Sequence, residues 1–146
     1  MSESLHIVCP HCHTTNRVQS ADMASAPDCG KCHQPLFTGA PLELAGDAFD
    51  RHIGRNHLPV LVDFWAPWCG PCRQMAPAYA QAARELEPAV RLAKLNTEAE
   101  PEIAGRYGIR SIPTLILFHQ GREVSRISGA LPAADIVRWV RTAMPR

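Results

Sequence analysis

The sequence predicts an α/β domain, a mixed sheet covered by helices on both faces, behind a small metal-binding module. Three observations predict it. Near residues 37–46 the chain changes from a polar stretch rich in Cys, His and Pro to apolar runs alternating with helical patterns. All six cysteines fall in C-x-x-C pairs. The first two pairs are spaced C-x2-C-x16-C-x2-C, within the range of a zinc-ribbon-like site. The expected division is a four-cysteine module over 1–36, a linker over 37–41 and the α/β domain over 42–146.

Residues 1–36 show no sustained helical or strand periodicity, and a segment that short needs metal, disulfides or a partner to fold. Residues 41–44 supply a first short strand. Asp47 caps a helix over 47–57, with Phe49 and Ile53 four apart on one face. Residues 59–66 (PVLVDFWA) form an apolar, β-branched run broken by one acid, the signature of a buried central strand. A long helix follows over 69–87, with Met75, Tyr79, Ala82, Ala83 and Leu86 at helical spacing and Pro77 set to kink it. A strand spans 89–96, and a short helix over 101–107 ends at Gly108. Two strands, 114–119 and 122–127, are joined at Gln120-Gly121 as a hairpin. An amphipathic helix over 133–143 closes the chain with Ile136, Val137, Trp139 and Val140.

Bulk properties narrow the function classes. The chain has 146 residues, 46% of them hydrophobic, and a formal net charge of +1, so no global field points to nucleic acid or an anionic membrane. The module offers Arg17 and Lys31 against Glu3, Asp22 and Asp28, which makes no phosphate-tracking surface. Residues 1–9 (MSESLHIVC) hold no apolar core of signal-peptide length, and no stretch is long and apolar enough to span a bilayer. With every cysteine in a C-x-x-C pair, the expected compartment is the reducing cytoplasm. Nothing signals oligomerisation, and a monomer is expected.

Trp68-Cys69-Gly70-Pro71-Cys72 joins the end of the buried strand to the start of the long helix. Unsatisfied N–H groups and the positive end of the helix dipole converge on the first sulfur there and favour thiolate over thiol. Cys69 is therefore the expected exposed nucleophile, with Cys72 one turn inside the helix as the resolving thiol. A C-x-x-C pair could instead be half a metal site. Metal knuckles commonly donate backbone N–H groups to their thiolates, however, and Pro71 has none.

At this point the sequence resembles the thioredoxin family, from about Leu42 to the C-terminus. The resemblance rests on residues 62–72 (VDFWAPWCGPC), 109–114 (IRSIPT), Lys94-Leu95-Asn96 and the spacing from Gly121 to Gly129. It implies that Asp63 is a buried acid that assists deprotonation of Cys72, with Lys94 as its neighbour. Its place in an apolar strand agrees, since burial raises a carboxyl towards the working range. Lys94 also reads as a plain solvated lysine. The resemblance further implies a cis Pro113 against the dithiol and a shallow apolar groove framed by Trp68, Ile112, Gly129 and Ala130, with Gly70 and Pro71 among its residues. Ser128 stands where the family usually carries an aliphatic residue and makes that rim more polar. Gly70-Pro71 resembles the dipeptide of reductases, whereas strong oxidants of this fold usually carry His there.

Cys9, Cys12, Cys29 and Cys32 are expected to close a tetrahedron of thiolates around one structural Zn²⁺ per chain, with no open position for water. Two disulfides, a redox relay to Cys69 and a rubredoxin-like iron remain open on spacing alone. His11, His13 and His33 sit beside the ligands as spectators; His6, His52, His57 and His119 are assigned no chemistry. Four-cysteine modules of this kind mark a thioredoxin subgroup often called thioredoxin 2 in bacteria, which this sequence resembles. The expected activity is reduction of disulfide-containing target proteins, with recycling by thioredoxin reductase and NADPH. A disulfide isomerase or oxidase, or a redox-independent binding module, are the competing readings.

Overall fold

The computed structural model describes residues 3–145. Two short strands, β1 (Ser4–Val8) and β2 (Thr15–Gln19), form an antiparallel hairpin, followed by a 3₁₀ helix (Ser20–Ser25). The main domain then runs β3 (Leu42–Leu44), α1 (Asp47–Arg55), β4 (Val60–Trp65), α2 (Gly70–Leu86), β5 (Arg91–Asn96), α3 (Pro101–Arg106), β6 (Thr114–His119), β7 (Arg122–Ser128) and α4 (Ala133–Ala143). Its five strands lie in the order β3-β5-β4-β6-β7. The first three are parallel, and β6 and β7 run antiparallel to their neighbours.

Alternation along β4 builds the two faces of this sheet. Leu61, with Leu92, Leu115 and Leu117, packs under Met75 and Tyr79 of α2 and Ile136 and Val140 of α4. Val62 and Phe64, with Ala93, Leu95, Ile116 and Phe118, pack against Phe49 and Ile53 of α1 and Ile103 of α3. Asp63 points to the first face, so β4 delivers an acid beneath α2 and ends at the loop that begins α2.

Several boundaries differ from those expected, for identifiable reasons. Asp47 is the first helical residue of α1, and Gly46 is the cap, at φ 54° and ψ −135°, a backbone state suited to glycine. That helix stops at Arg55 because Asn56 turns out to hold β1: its Oδ1 accepts from Val8 N at 2.8 Å and its Nδ2 donates to His52 O at 2.9 Å. The β1–β2 hairpin was not expected. Its few apolar residues, Ile7, Val8 and Val18, complete a core only together with Cys9, Cys29, Leu36 and Leu58. α2 continues across Pro77.

The N-terminal module docks at the start of β4 and β5. His57 N donates to His6 O at 2.9 Å, and Arg91 Nη2 donates to Val8 O at 3.0 Å. Residues 37–39 are fastened as well: the Arg91 guanidinium lies 4.6 Å from the Phe37 ring centroid, and Gly39 N donates to Glu87 Oε1 at 3.0 Å. The dithiol lies beyond the far end of β4. Six strand residues, about 20 Å at the usual rise, separate the two ends.

Candidate active site and metal centre

Cys69 is the N-cap of α2, and its Sγ accepts the Cys72 N–H at 3.2 Å. Pro71 sits in the first turn, where a missing N–H costs nothing. The two cysteines are joined as a disulfide, with Cα atoms 5.3 Å apart. Cys69 Sγ also lies 3.7 Å from the carbonyl of Ile112. One expectation is corrected: Cys69 is not exposed in this oxidised form but 4% exposed, against 2% for Cys72. Trp65 and Ile112 pack against the pair and cover it.

The Ile112–Pro113 peptide is cis. Pairing of Thr114 with Ser128 brings Gly129 to the same place, where Gly129 N donates to Pro113 O at 2.8 Å. Thr114 Oγ1 donates to Ser111 O at 2.6 Å and lies 2.9 Å from Ser128 Oγ. Ser128 thus ties its hydroxyl to the strand behind the loop. Trp68 is 67% exposed beside the dithiol, and Ala130 follows Gly129 on the surface.

Asp63 is completely buried, and neither carboxylate oxygen has a hydrogen-bond partner. Burial pushes its pKa up to about 7, the Lys94 ammonium opposes the rise and the Glu43 carboxylate adds to it. Strand register places these residues in one row, Glu43 beside Lys94 and Lys94 beside Asp63. Trp65 links them: its Nε1 donates to Glu43 Oε1 at 3.1 Å, and Lys94 Nζ stands 4.3 Å from the centre of its rings. Tyr79 Oη lies 2.7 Å from Ala93 O and 3.1 Å from Leu61 O, bracing α2 against the same part of the sheet.

At the opposite pole, the thiols of Cys9, Cys12, Cys29 and Cys32 lie within 4.8 Å of one another. Cys9 and Cys32 Sγ are 3.6 Å apart, as are Cys12 and Cys29 Sγ. These spacings exceed a disulfide bond of about 2.05 Å. They fit the edge of a tetrahedron with Zn–S bonds of about 2.3 Å, which is roughly 3.8 Å long. Each pair forms a knuckle. His11 N donates to Cys9 Sγ at 3.3 Å and Lys31 N to Cys29 Sγ at 3.4 Å, and both knuckles turn at a left-handed residue, His13 or His33. Pro71 occupies the equivalent place in the dithiol and has no N–H to give. The backbone N–H of Cys32, with Asn16 Nδ2 at 3.4 Å, helps hold the Cys29 thiol down to about 6. The N–H of Gln34 favours ionised Cys32, but burial and the three crowding thiols push Cys32 up to about 12. A divalent cation would remove that conflict, so the donor set fits zinc. His11 and His13 turn elsewhere, to Pro35 O at 3.2 Å and to His52 Nε2 at 3.1 Å.

Some residues at these sites left no signal in the sequence. Glu43 is brought to the row by strand order alone. Asn16 lies between the cysteine pairs with no motif to mark it. His52 is buried against His13, and desolvation, then Arg91 and His13, drive its pKa down to about 3. Arg91 is 1% exposed between Val90 and Leu92, where alternation with two apolar neighbours gave no sign of a buried cation.

Comparison with known proteins agrees with this geometry. The thioredoxin family model matches residues 40–142, and the model described as "Thioredoxin 2, N-terminal" matches residues 8–34. Thioredoxin C-3 of Corynebacterium nephridii is 46% identical over 134 residues, covering 92% of this chain and 92% of that protein. A thioredoxin of Pyropia yezoensis is 48% identical over 89 residues, 61% of this chain and 83% of its own length. Among solved structures, a mutant thioredoxin from Halobacterium salinarum NRC-1 superposes with a TM-score of 0.67 at 28% identity, over 75% of this chain and 96% of that one. Among the described residues, no helix is long and apolar enough to cross a membrane.

Proposed function

The chain belongs to the thioredoxin family and is a thiol–disulfide oxidoreductase; on that premise we propose that it is a protein-disulfide reductase working through Cys69 and Cys72. The setting of Cys69 carries the reading: a sulfur at a helix start, accepting a backbone N–H at 3.2 Å, beside the Ile112 carbonyl. The same N–H that meets Cys69 Sγ in the disulfide would stabilise a thiolate in the reduced form.

The thiolate of Cys69 attacks one sulfur of a target disulfide, and the other target sulfur leaves as a thiolate. Cys72 then gives its proton to the Asp63 carboxylate and attacks Cys69 Sγ. The mixed disulfide breaks, the second target thiolate leaves and takes a proton from water, and the Cys69–Cys72 disulfide remains. Two electrons have passed to the target. An acid near 7 suits this proton transfer, with Lys94 bearing on it from the next strand. Target backbone would lie along Ile112 and Pro113, over a rim of Trp68, Gly70, Pro71, Gly129 and Ala130. Thioredoxin reductase, drawing on NADPH, would return the two electrons.

In this reading residues 1–36 are a zinc-ribbon-like module, 37–41 a linker and 42–146 the thioredoxin domain. Cys9, Cys12, Cys29 and Cys32 would hold one structural Zn²⁺ per chain, which supplies folding free energy when bound and takes no part in the exchange. A dithiol reductase carrying free thiols suits a reducing compartment, so we place it in the cytoplasm, as a monomer without nucleic-acid or membrane partners. The test is insulin reduction driven by NADPH and thioredoxin reductase, with zinc measured on the same sample. Turnover lost in Cys69→Ser with about one zinc retained supports the reading. Turnover that survives Cys69→Ser but fails when Cys9 or Cys29 is replaced would move the redox centre to the module.

A further inference from the structure

Lys94 is the one cation in the row that Asp63 shares with Glu43. Neighbouring strands lie about 4.8 Å apart, so register alone sets the two carboxylate-bearing residues roughly 10 Å apart at Cα, with Lys94 between. Among the described residues Lys94 forms no ion pair within 4 Å; its ammonium rests on the Trp65 rings at 4.3 Å. The Trp65 indole is held by Glu43, whose Oε1 accepts from Nε1 at 3.1 Å. Asp63, by contrast, has no hydrogen-bond partner on either oxygen. The charged and titratable groups that bear on Asp63 are Lys94 from β5, Glu43 from β3 and Tyr79 from α2, whereas β6 presents Leu115.

We propose that Glu43 is a positioning residue that keeps Asp63 ready to accept the Cys72 proton, by fixing the Trp65 platform for Lys94 and by placing a second negative charge on the far side of that lysine. This rests on the reductase reading above, in which Asp63 serves as the base. Without Glu43 the lysine field would fall on Asp63 alone, and the carboxylate would ionise earlier and become a poorer base. Glu43 stands at an exposed strand position, where partial desolvation raises its own carboxyl while Trp65 and Lys94 oppose that rise.

The test uses the full chain, with zinc bound and the dithiol reduced. The Asp63 carboxyl carbon is followed by NMR against pH in wild type, Glu43→Gln and Glu43→Leu, alongside the pH profile of insulin reduction. Gln keeps an acceptor for Trp65 and removes only the charge. The expected midpoint of Asp63 falls by roughly half to one pH unit in Glu43→Gln, and further in Glu43→Leu. The inflection of the reduction profile moves with it, and Glu43→Gln has no further effect on the profile in an Asp63→Asn background. An Asp63 midpoint in Glu43→Gln equal to that of wild type overturns the proposal, even if Glu43→Leu is less stable. A shifted midpoint in a protein with no reductase turnover would instead overturn the reductase reading and leave the coupling of Glu43 to Asp63 standing.

Discussion

Arg91 Nη2 donates to the carbonyl of Val8 at 3.0 Å, crossing from the first residue of β5 to the last residue of β1, the first strand of the N-terminal hairpin. The same guanidinium stands 3.6 Å from Glu87 Oε2 and covers the Phe37 ring. Burial lowers the pKa of Arg91 and raises that of Glu87, so each ion depends on the other. Removing the cation strands a buried carboxylate and a buried carbonyl at once. Arg91→Ala should therefore cost about 3 kcal/mol of stability, or about 8 °C in Tm for a chain of this size. Thermal unfolding of the zinc-loaded protein checks it, and a Tm within about 1 °C of wild type would show that the clamp carries no net stability.

Asp63 gives a prediction with a definite sign. Its pKa is raised from about 3.9 in an unfolded chain to about 7 in the fold. Between those values the folded protein holds a proton that the unfolded chain has lost, so stability falls as pH rises from about 4 to about 7 and then levels. Asp63→Asn removes that penalty. It should stabilise the protein by about 2 to 4 kcal/mol at pH 8, with the gain fading towards pH 4. Reductase turnover should drop roughly tenfold to a hundredfold. Urea titrations at the two pH values, paired with insulin turnover, decide it; a variant no more stable at pH 8 than at pH 4 relative to wild type would mean Asp63 ionises without cost.

What the sequence disclosed about this site follows from how local each signal is. The three cysteine pairs are contiguous motifs, and the helix start that activates Cys69 follows directly from the strand-to-helix transition. Asp63 was legible because a lone acid in an apolar run must be buried or functional. Glu43 was not, since nothing in residues 41–44 says that β3 will lie beside β5 rather than β4. The N-terminal hairpin was hidden for another reason: its core borrows Leu58 from the main domain and counts cysteines among its apolar residues. The exposure expected of Cys69 failed because the covering residues, Trp65 and Ile112, come from either side of it in sequence.

The two sulfur sites lie at opposite ends of β4, so they should fail independently. Withdrawing zinc with a chelator under reducing conditions removes what holds the Cys9 and Cys29 knuckles together. The β1–β2 hairpin should lose its amide exchange protection while α2 and β4 keep theirs. Insulin turnover at 25 °C should stay within about twofold, as expected of distant sites. Hydrogen exchange followed by mass spectrometry, before and after chelation, reads both regions in one experiment. Loss of protection in β4 together with the hairpin would show that the module and the sheet unfold as one unit.

Trp68 offers the last separation, between docking and chemistry. At 67% exposed it is a large apolar side chain in water beside a disulfide that is itself covered. Its indole makes no hydrogen bond among the described residues, so replacing it should change stability by less than about 0.5 kcal/mol. If it serves as the rim against which a target chain lies, Trp68→Ala loses contact area only when the substrate is a protein. KM for insulin should rise several-fold, about 1 kcal/mol of lost apolar burial, with kcat little changed. Reduction of a small aromatic disulfide, which needs only the dithiol, should proceed at close to the wild-type rate. Equal losses on both substrates would place Trp68 in the chemistry of the sulfurs, and no loss on either would leave it a bystander of the groove.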